Sequence, residues 1–189
     1  MFITIQTNDT IKRIDAFADT HGRHREYHCH HEQAADILVC AGDVCDAGNE
    51  AQLRDFFTWF AAQPAKRKLF VPGNHDLPFD IAPEYAARYI PDGVVLIENG
   101  GVILDGVRFY VLPVRWLMHE PLHLPQNVDV LVTHGAPLHI LDENGRWGCP
   151  ILRGLVEKSQ PKVHIFGHAH NDGQKHVVFG NTSCYNVAI

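Results

Sequence analysis

The chain has 189 residues, 46% of them hydrophobic, and a formal net charge of −6. That is the size of one domain with enough apolar material for a core. The acidic balance, spread without long blocks, disfavours a protein that coats nucleic acid by neutralising phosphates.

A small phosphate-bearing ligand stays open, because a bound metal supplies positive charge locally. The cysteines Cys29, Cys40, Cys45, Cys149 and Cys184 are scattered and form no Cys-x-x-Cys pair. They read as reduced thiols in a cytoplasmic protein. The first residues contain no continuous apolar stretch of signal-peptide length. No segment approaches the ~20 apolar residues of a membrane span, so no membrane partner is expected.

Ile11 to Phe17 reads as a strand that runs into Asp19, and Ile37 to Ala41 as an apolar run ending at Gly42-Asp43. Asn49 is a helix N-cap, followed by Leu53, Phe56, Phe57 and Phe60 at helical spacing. Lys68 to Val71 ends at Pro72-Gly73-Asn74, and Pro83 starts a second helix through Tyr85 and Tyr89. Val94 to Leu96, Val102 to Leu104 and Val107 to Leu112 read as meander strands, with turns at Asn99-Gly100-Gly101 and Asp105-Gly106. Val128 to Val132 runs into Thr133-His134. Pro150 starts a third helix through Leu152, Leu155 and Val156, ending before Pro161. Val163 to Phe166 runs into Gly167-His168, and a last pair, Lys175 to Phe179 and Ser183 to Ala188, flanks Gly180-Asn181. The strands are short and rich in β-branched and aromatic residues. Their continuous apolar runs predict cover on both faces. Crossover units mixed with hairpins fit two packed sheets with helices outside, in one domain over residues 1–189.

Five polar runs follow buried strands: Asp19-Thr20-His21, Gly42-Asp43-Val44-Cys45-Asp46, Gly73-Asn74-His75-Asp76, Thr133-His134-Gly135 and Gly167-His168-Ala169-His170. Each run alone has a bland reading as a polar turn. Their joint occurrence, each straight after an apolar strand, points instead to a two-metal hydrolytic centre. First-row divalent ions accept imidazole and carboxylate, and two ions roughly 3.5–4 Å apart need a shared ligand. Asp43 is the best candidate to bridge, because it follows a buried strand and a glycine that lets the backbone turn. Asp19 and His21, two apart, fall on one side of an extended segment, and His168 and His170 do the same. Asn74 offers a neutral carbonyl oxygen. His75, beside it, is left free to act as an acid.

In this order the five motifs resemble the calcineurin-like metallophosphoesterase superfamily, over most of the chain. The run from Thr133 to Gly173, with Asn99-Gly100-Gly101 and Asp105-Gly106, resembles its small MPPED-type branch, which is similar to class III cyclic-nucleotide phosphodiesterases. The resemblance implies an α/β fold, a four-layer α/β/β/α sandwich of two mixed sheets flanked by helices. It implies one metal ion on Asp19, His21 and His170, a second on Asn74, His134 and His168, and Asp43 between them. It makes His75 the catalytic histidine and Asp46 the carboxylate that orients it. It implies two divalent or trivalent ions (Mn, Fe, Zn, Co or Ni, with Mn²⁺ favoured for activity), a bridging hydroxide that attacks phosphorus, and a small-molecule phosphodiester substrate. Relatives are often dimeric, so a homodimer is an open expectation. The alternatives are a phosphomonoesterase or nucleotidase of this fold, or a metal-binding scaffold without activity.

Other residues carry weaker expectations. Arg23, Arg115 and Arg146, with Trp147, are candidate substrate contacts. The cluster of His24, His28, Cys29, His30 and His31 reads as an exposed segment at the cleft rim rather than a third metal site. His119 and His123 read as loop residues, and His139, His164 and His176 as structural or surface ones. Cys45 reads as a small packed residue.

Overall fold

The structure, a computed structural model, describes residues 1–7, 10–27, 35–115, 117 and 122–189. One sheet takes the order β1 (Phe2–Gln6), β2 (Ile11–Phe17), β3 (Ile37–Cys40), β4 (Arg67–Phe70), β5 (Val94–Leu96). The β1–β2 pair is antiparallel, and β2 to β5 are parallel. The second sheet uses β6 (Gly100–Leu104), β7 (Val107–Val111), β8 (Val130–Val132), β9 (Val163–Phe166), β10 (Lys175–Phe179) and β11 (Thr182–Asn186). Its order is β10-β11-β9-β8-β7-β6, with parallel strands at the centre and an antiparallel pair at each edge. Both sheets are therefore mixed, as expected.

The inward and outward faces divide by alternation along each strand. Ile37 and Val39 face the second sheet, where they meet Val107, Phe109, Val130, Val132 and Ile165 in the layer between the sheets. Leu38 and Cys40 face the other way, against helix α1 (Glu50–Ala62) and its Leu53, Phe56, Phe57 and Phe60. Leu131 of the second sheet packs on Leu152 and Val156 of α4 (Pro150–Ser159). Helix, sheet, sheet and helix thus stack as four layers.

The helix starts follow from their caps. Asn49 Oδ1 accepts the N–H groups of Ala51 and Gln52 at 3.0 and 3.1 Å. Pro150 stands at the first turn of α4, where no donor is needed.

Three details depart from the sequence reading. The residues Phe2–Gln6 form an edge strand paired with β2, and its alternate residues Ile3 and Ile5 are buried in the layer between the sheets. The helix expected from Pro83 through Tyr89 is a short α3 (Pro83–Ala86) that tightens into a 3-10 turn, Ala87–Tyr89, and it is preceded by α2 (Pro78–Ile81). Val94–Leu96 does not join a meander: β5 pairs in parallel with β4, while Gly100 already belongs to β6 of the other sheet. The chain crosses between the sheets there, which a count of apolar runs does not reveal.

Candidate metal centre

The parallel strands of both sheets end at the same edge of the sandwich, where open α/β sheets place their ligands. β2, β3 and β4 lead to Asp19, Asp43 and Asn74-His75; β8 and β9 lead to His134 and His168. The backbone there is strained. Asp19, His21, Asp43 and His168 adopt φ values of 62°, 44°, 56° and 67°. Such left-handed residues persist where the surrounding structure holds them. Asp19 N–H donates to Gly42 O at 2.9 Å and His21 N–H to Asp43 O at 3.0 Å, which ties the first loop to the second. Gly73 has no side chain because none fits: a Cβ there would lie 2.1 Å from Asp43 Oδ1.

Two groups of ligand-bearing side chains result, Asp19 with His21 and His170, and Asp43 with His134 and His168. Within each group one atom per residue lies within 4.8 Å of the others. The groups meet at Asp43, whose Oδ2 is 3.2 Å from His134 Nε2 and 3.9 Å from His21 Nε2. Asp19 Oδ1 is 3.4 Å from His170 Nε2 and 3.9 Å from His134 Nε2. His134 Nδ1 lies 2.7 Å from the Ala41 carbonyl, so that nitrogen carries a proton whatever the charge of the ring, and Nε2 faces the carboxylates. His75 N–H donates to Asp43 Oδ1 at 2.8 Å, which fixes the Asn74-His75 turn beside the centre.

Burial and charge work against each other at these groups. Burial lowers the affinity of His134 for a proton, but the carboxylates of Asp43 and Asp19 outweigh it, and its pKa is raised to about 9. Burial raises Asp43, yet His134 and the His75 N–H hold it below the usual carboxylate range. Burial, then the charge of His134, lowers His168 to about 4. Asp19 Oδ1, Asn74 Oδ1, His134 Nε2 and His168 Nε2 are buried without a hydrogen-bond partner among the described residues. Orphaned oxygens and nitrogens of this kind, aimed into one space, fit a divalent first-row ion.

The sequence model of the calcineurin-like phosphoesterase family matches residues 12–172. The chain belongs to this family. It is 32% identical to the UPF0046 protein K07C11.7 of Caenorhabditis elegans, over 93% of this chain and 69% of that protein. It is 27% identical to the human metallophosphoesterase domain-containing protein 1, over 94% of this chain and 66% of that one. The chain thus spans about two thirds of the length of these relatives. Among solved structures, TT1561 of Thermus thermophilus shares the fold, with a TM-score of 0.64 at 14% identity, over 94% of this chain and 89% of that one. Family membership and the two ligand groups together support a metal-dependent phosphoesterase.

The calcineurin-like centre has a different internal wiring from the one the motif spacing suggested. Asp19 and His21 share a group across left-handed turns, not along an extended segment. His168 and His170 have the same spacing but part company, because His168 turns left-handed and His170 opens a 3-10 turn, His170–Asp172. Asp46 was expected to orient His75. Its Oδ1 instead lies 3.1 Å from His21 Nδ1, and its Oδ2 accepts from Gln52 Nε2 at 3.1 Å.

The three arginines also separate. Arg115 is engaged by Asp80 and by Glu98 at 3.2 Å, and so joins the β7–β8 loop to α2 rather than facing a substrate. Arg23 is exposed, 4.0 Å from Glu26. Only Arg146 lines the recess of about 300 Å³ beside the centre, with Asp43, His75, Trp147, His168 and Asn171. It lies over the Trp147 ring, whose Nε1 donates to Glu143 at 3.3 Å.

Of the histidine cluster, His24 is buried against Phe56 and Trp59, 3.1 Å from Asp55. His28, Cys29, His30 and His31, like His119, lie outside the described residues.

Asp76 is the one acidic residue of the motifs without an assigned role. Asp76 is fully buried, and its carboxylate accepts the N–H groups of Asp43, Gly73, Val44 and Cys45 at 2.9 to 3.3 Å. Its place as the last residue of the Gly73-Asn74-His75-Asp76 run was the available signal.

Proposed function

We propose that the chain is a binuclear metal-dependent phosphoesterase acting on phosphodiesters, cyclic nucleotides among them. The observation that carries this reading is Asp43, whose one carboxylate oxygen faces an imidazole of each ligand group, at 3.2 and 3.9 Å. In this reading Asp19, His21 and His170 hold one ion, Asn74, His134 and His168 hold the other, and Asp43 is shared. Oxygen and nitrogen donors suit Mn²⁺. Bound ions would supply a water of lowered pKa as nucleophile and positive charge for the phosphoryl oxygens.

The chain's own groups do the rest. Asp43 and Asp19, anchored by backbone donors from the opposite loops, keep the ligands in place before substrate arrives. His75 borders the recess, free of a ligand role, and protonates the departing oxygen. Arg146, at the rim, draws the substrate anion in, and Trp147 walls the recess beside it. The four described cysteines are free and buried, which supports a reducing compartment such as the cytoplasm.

The test is hydrolysis of a panel of cyclic nucleotides, linear diesters and monoesters with added Mn²⁺. Diesters are expected to be cleaved fastest, and Asp43→Ala to abolish cleavage. Faster cleavage of monoesters would assign a monoesterase instead, and no cleavage of any ester by the Mn²⁺-loaded protein would leave a scaffold.

A further inference from the structure

Gln52 stands in the first turn of α1, outside every motif that carries the ligands. It nevertheless grips Asp46 twice. Its Nε2 donates to Asp46 Oδ2 at 3.1 Å, and its Oε1 accepts the Asp46 backbone N–H at 2.7 Å. Asp46 Oδ1 in turn lies 3.1 Å from Nδ1 of His21. The loop that bears His21 has been cleared for this contact. A Cβ on the adjacent Gly22, at φ +79°, would lie 2.5 Å from Gln52 Nε2.

We propose that Gln52 and Asp46 are positioning residues for the ligand His21. Asp46 accepts the Nδ1 proton and so presents Nε2 to the Asp19–His21–His170 group. Imidazole ligands need such an acceptor to fix the tautomer and ring orientation and to raise basicity. The Asp46 side chain is 60% exposed. A lone carboxylate that open to water would gain little, since it must give up rotamer freedom to hold the ring. The two contacts from Gln52 remove that freedom in advance, because Gln52 is itself fixed by a helix whose first turn Asn49 caps. The geometry therefore gives the exposed carboxylate a fixed direction, toward His21.

The proposal rests on the reading that the Asp19–His21–His170 group holds an ion, and it is tested by binding rather than turnover. Mn²⁺ binding to the full chain is measured by equilibrium dialysis, and the electron paramagnetic resonance spectrum is recorded at each loading. Asp46→Ala and Gln52→Glu are each expected to weaken one of the two Mn²⁺ sites by about 10–100-fold, with the other unchanged. At a concentration that saturates the unsubstituted chain, its coupled two-ion spectrum gives way to that of an isolated ion. Gln52→Glu keeps the acceptor for the Asp46 N–H but turns a donor into a repelling carboxylate, on a helix that tolerates glutamate. Both variants binding two ions with unchanged affinity, with turnover alone reduced, would overturn the proposal and return Asp46 to His75. So would a lowered melting temperature of the metal-free variants with unchanged ion affinity. An unsubstituted chain that binds two ions and cleaves no ester leaves the proposal standing and removes the phosphoesterase reading instead.

Discussion

The carboxylate of Asp76 accepts the backbone N–H of Asp43 at 2.9 Å, across 33 positions of sequence. The same side chain accepts from Gly73, Val44 and Cys45, so one buried group closes the two loops that bring Asp43 and Asn74 together. Removing it would strand buried donors, each costing about 1–3 kcal/mol. Asp76→Ala is therefore expected to lower unfolding free energy by at least about 3 kcal/mol, measured by urea titration of metal-free protein. Asp76→Asn, which keeps one acceptor oxygen, falls between. A variant as stable as the unsubstituted chain would remove this role.

The orphaned atoms Asp19 Oδ1, Asn74 Oδ1, His134 Nε2 and His168 Nε2 make ion binding a stabilising event. At 100 times its dissociation constant, an ion bound only by the folded chain adds about 2.7 kcal/mol. Calorimetry should show the melting temperature rising with Mn²⁺ and falling back on chelation. The affinity depends on pH with a definite sign. His134, raised to about 9 by the carboxylates that outweigh its burial, carries a proton that ligation displaces. Mn²⁺ affinity should therefore climb with pH and level off near 9. An affinity flat between pH 6 and 8 would contradict this.

His75 borders the recess and belongs to neither ligand group. His75→Ala should keep the metal content of the unsubstituted chain, by elemental analysis, while turnover falls by about 10²–10⁴-fold, the usual contribution of a general acid. Full turnover in that variant would exclude the assignment.

His164 is fully buried on β9, with Nε2 2.9 Å from the Thr133 hydroxyl beside His134. Burial depresses its pKa to about 3. As pH falls through the unfolded value of about 6.5, the unfolded chain takes up a proton that the folded chain refuses. The stability His164 contributes is thus fully present above that pH and declines below it, by up to about 1.4 kcal/mol per pH unit. Urea midpoints of the unsubstituted chain should fall more steeply between pH 6.5 and 5 than those of His164→Gln. Parallel slopes would show that the histidine titrates alike in both states.

The centre was legible in the sequence to the extent that it is local. A buried strand followed by glycine and a polar ligand is a pattern of neighbouring residues, and so are the Asn49 cap and the Pro150 start. The sandwich was legible from the same source, because strands buried on both faces need cover on both.

What tertiary structure alone decided is which polar groups meet. The equal spacings of Asp19 to His21 and of His168 to His170 end differently, because left-handed turns redirect the side chains. Asp46 turned to His21, Arg115 was taken by Asp80 and Glu98, and Asp76 gathered two loops. Asp43 and Asp76 lie 33 positions apart, and Ala41 and His134, which meet across the two sheets, lie 93 apart. The sequence determines the ligand chemistry and the strand ends that carry it, since those depend on side-chain type and local periodicity. The pairings depend on sheet register and on how two sheets stack, quantities set by the packing of the whole core.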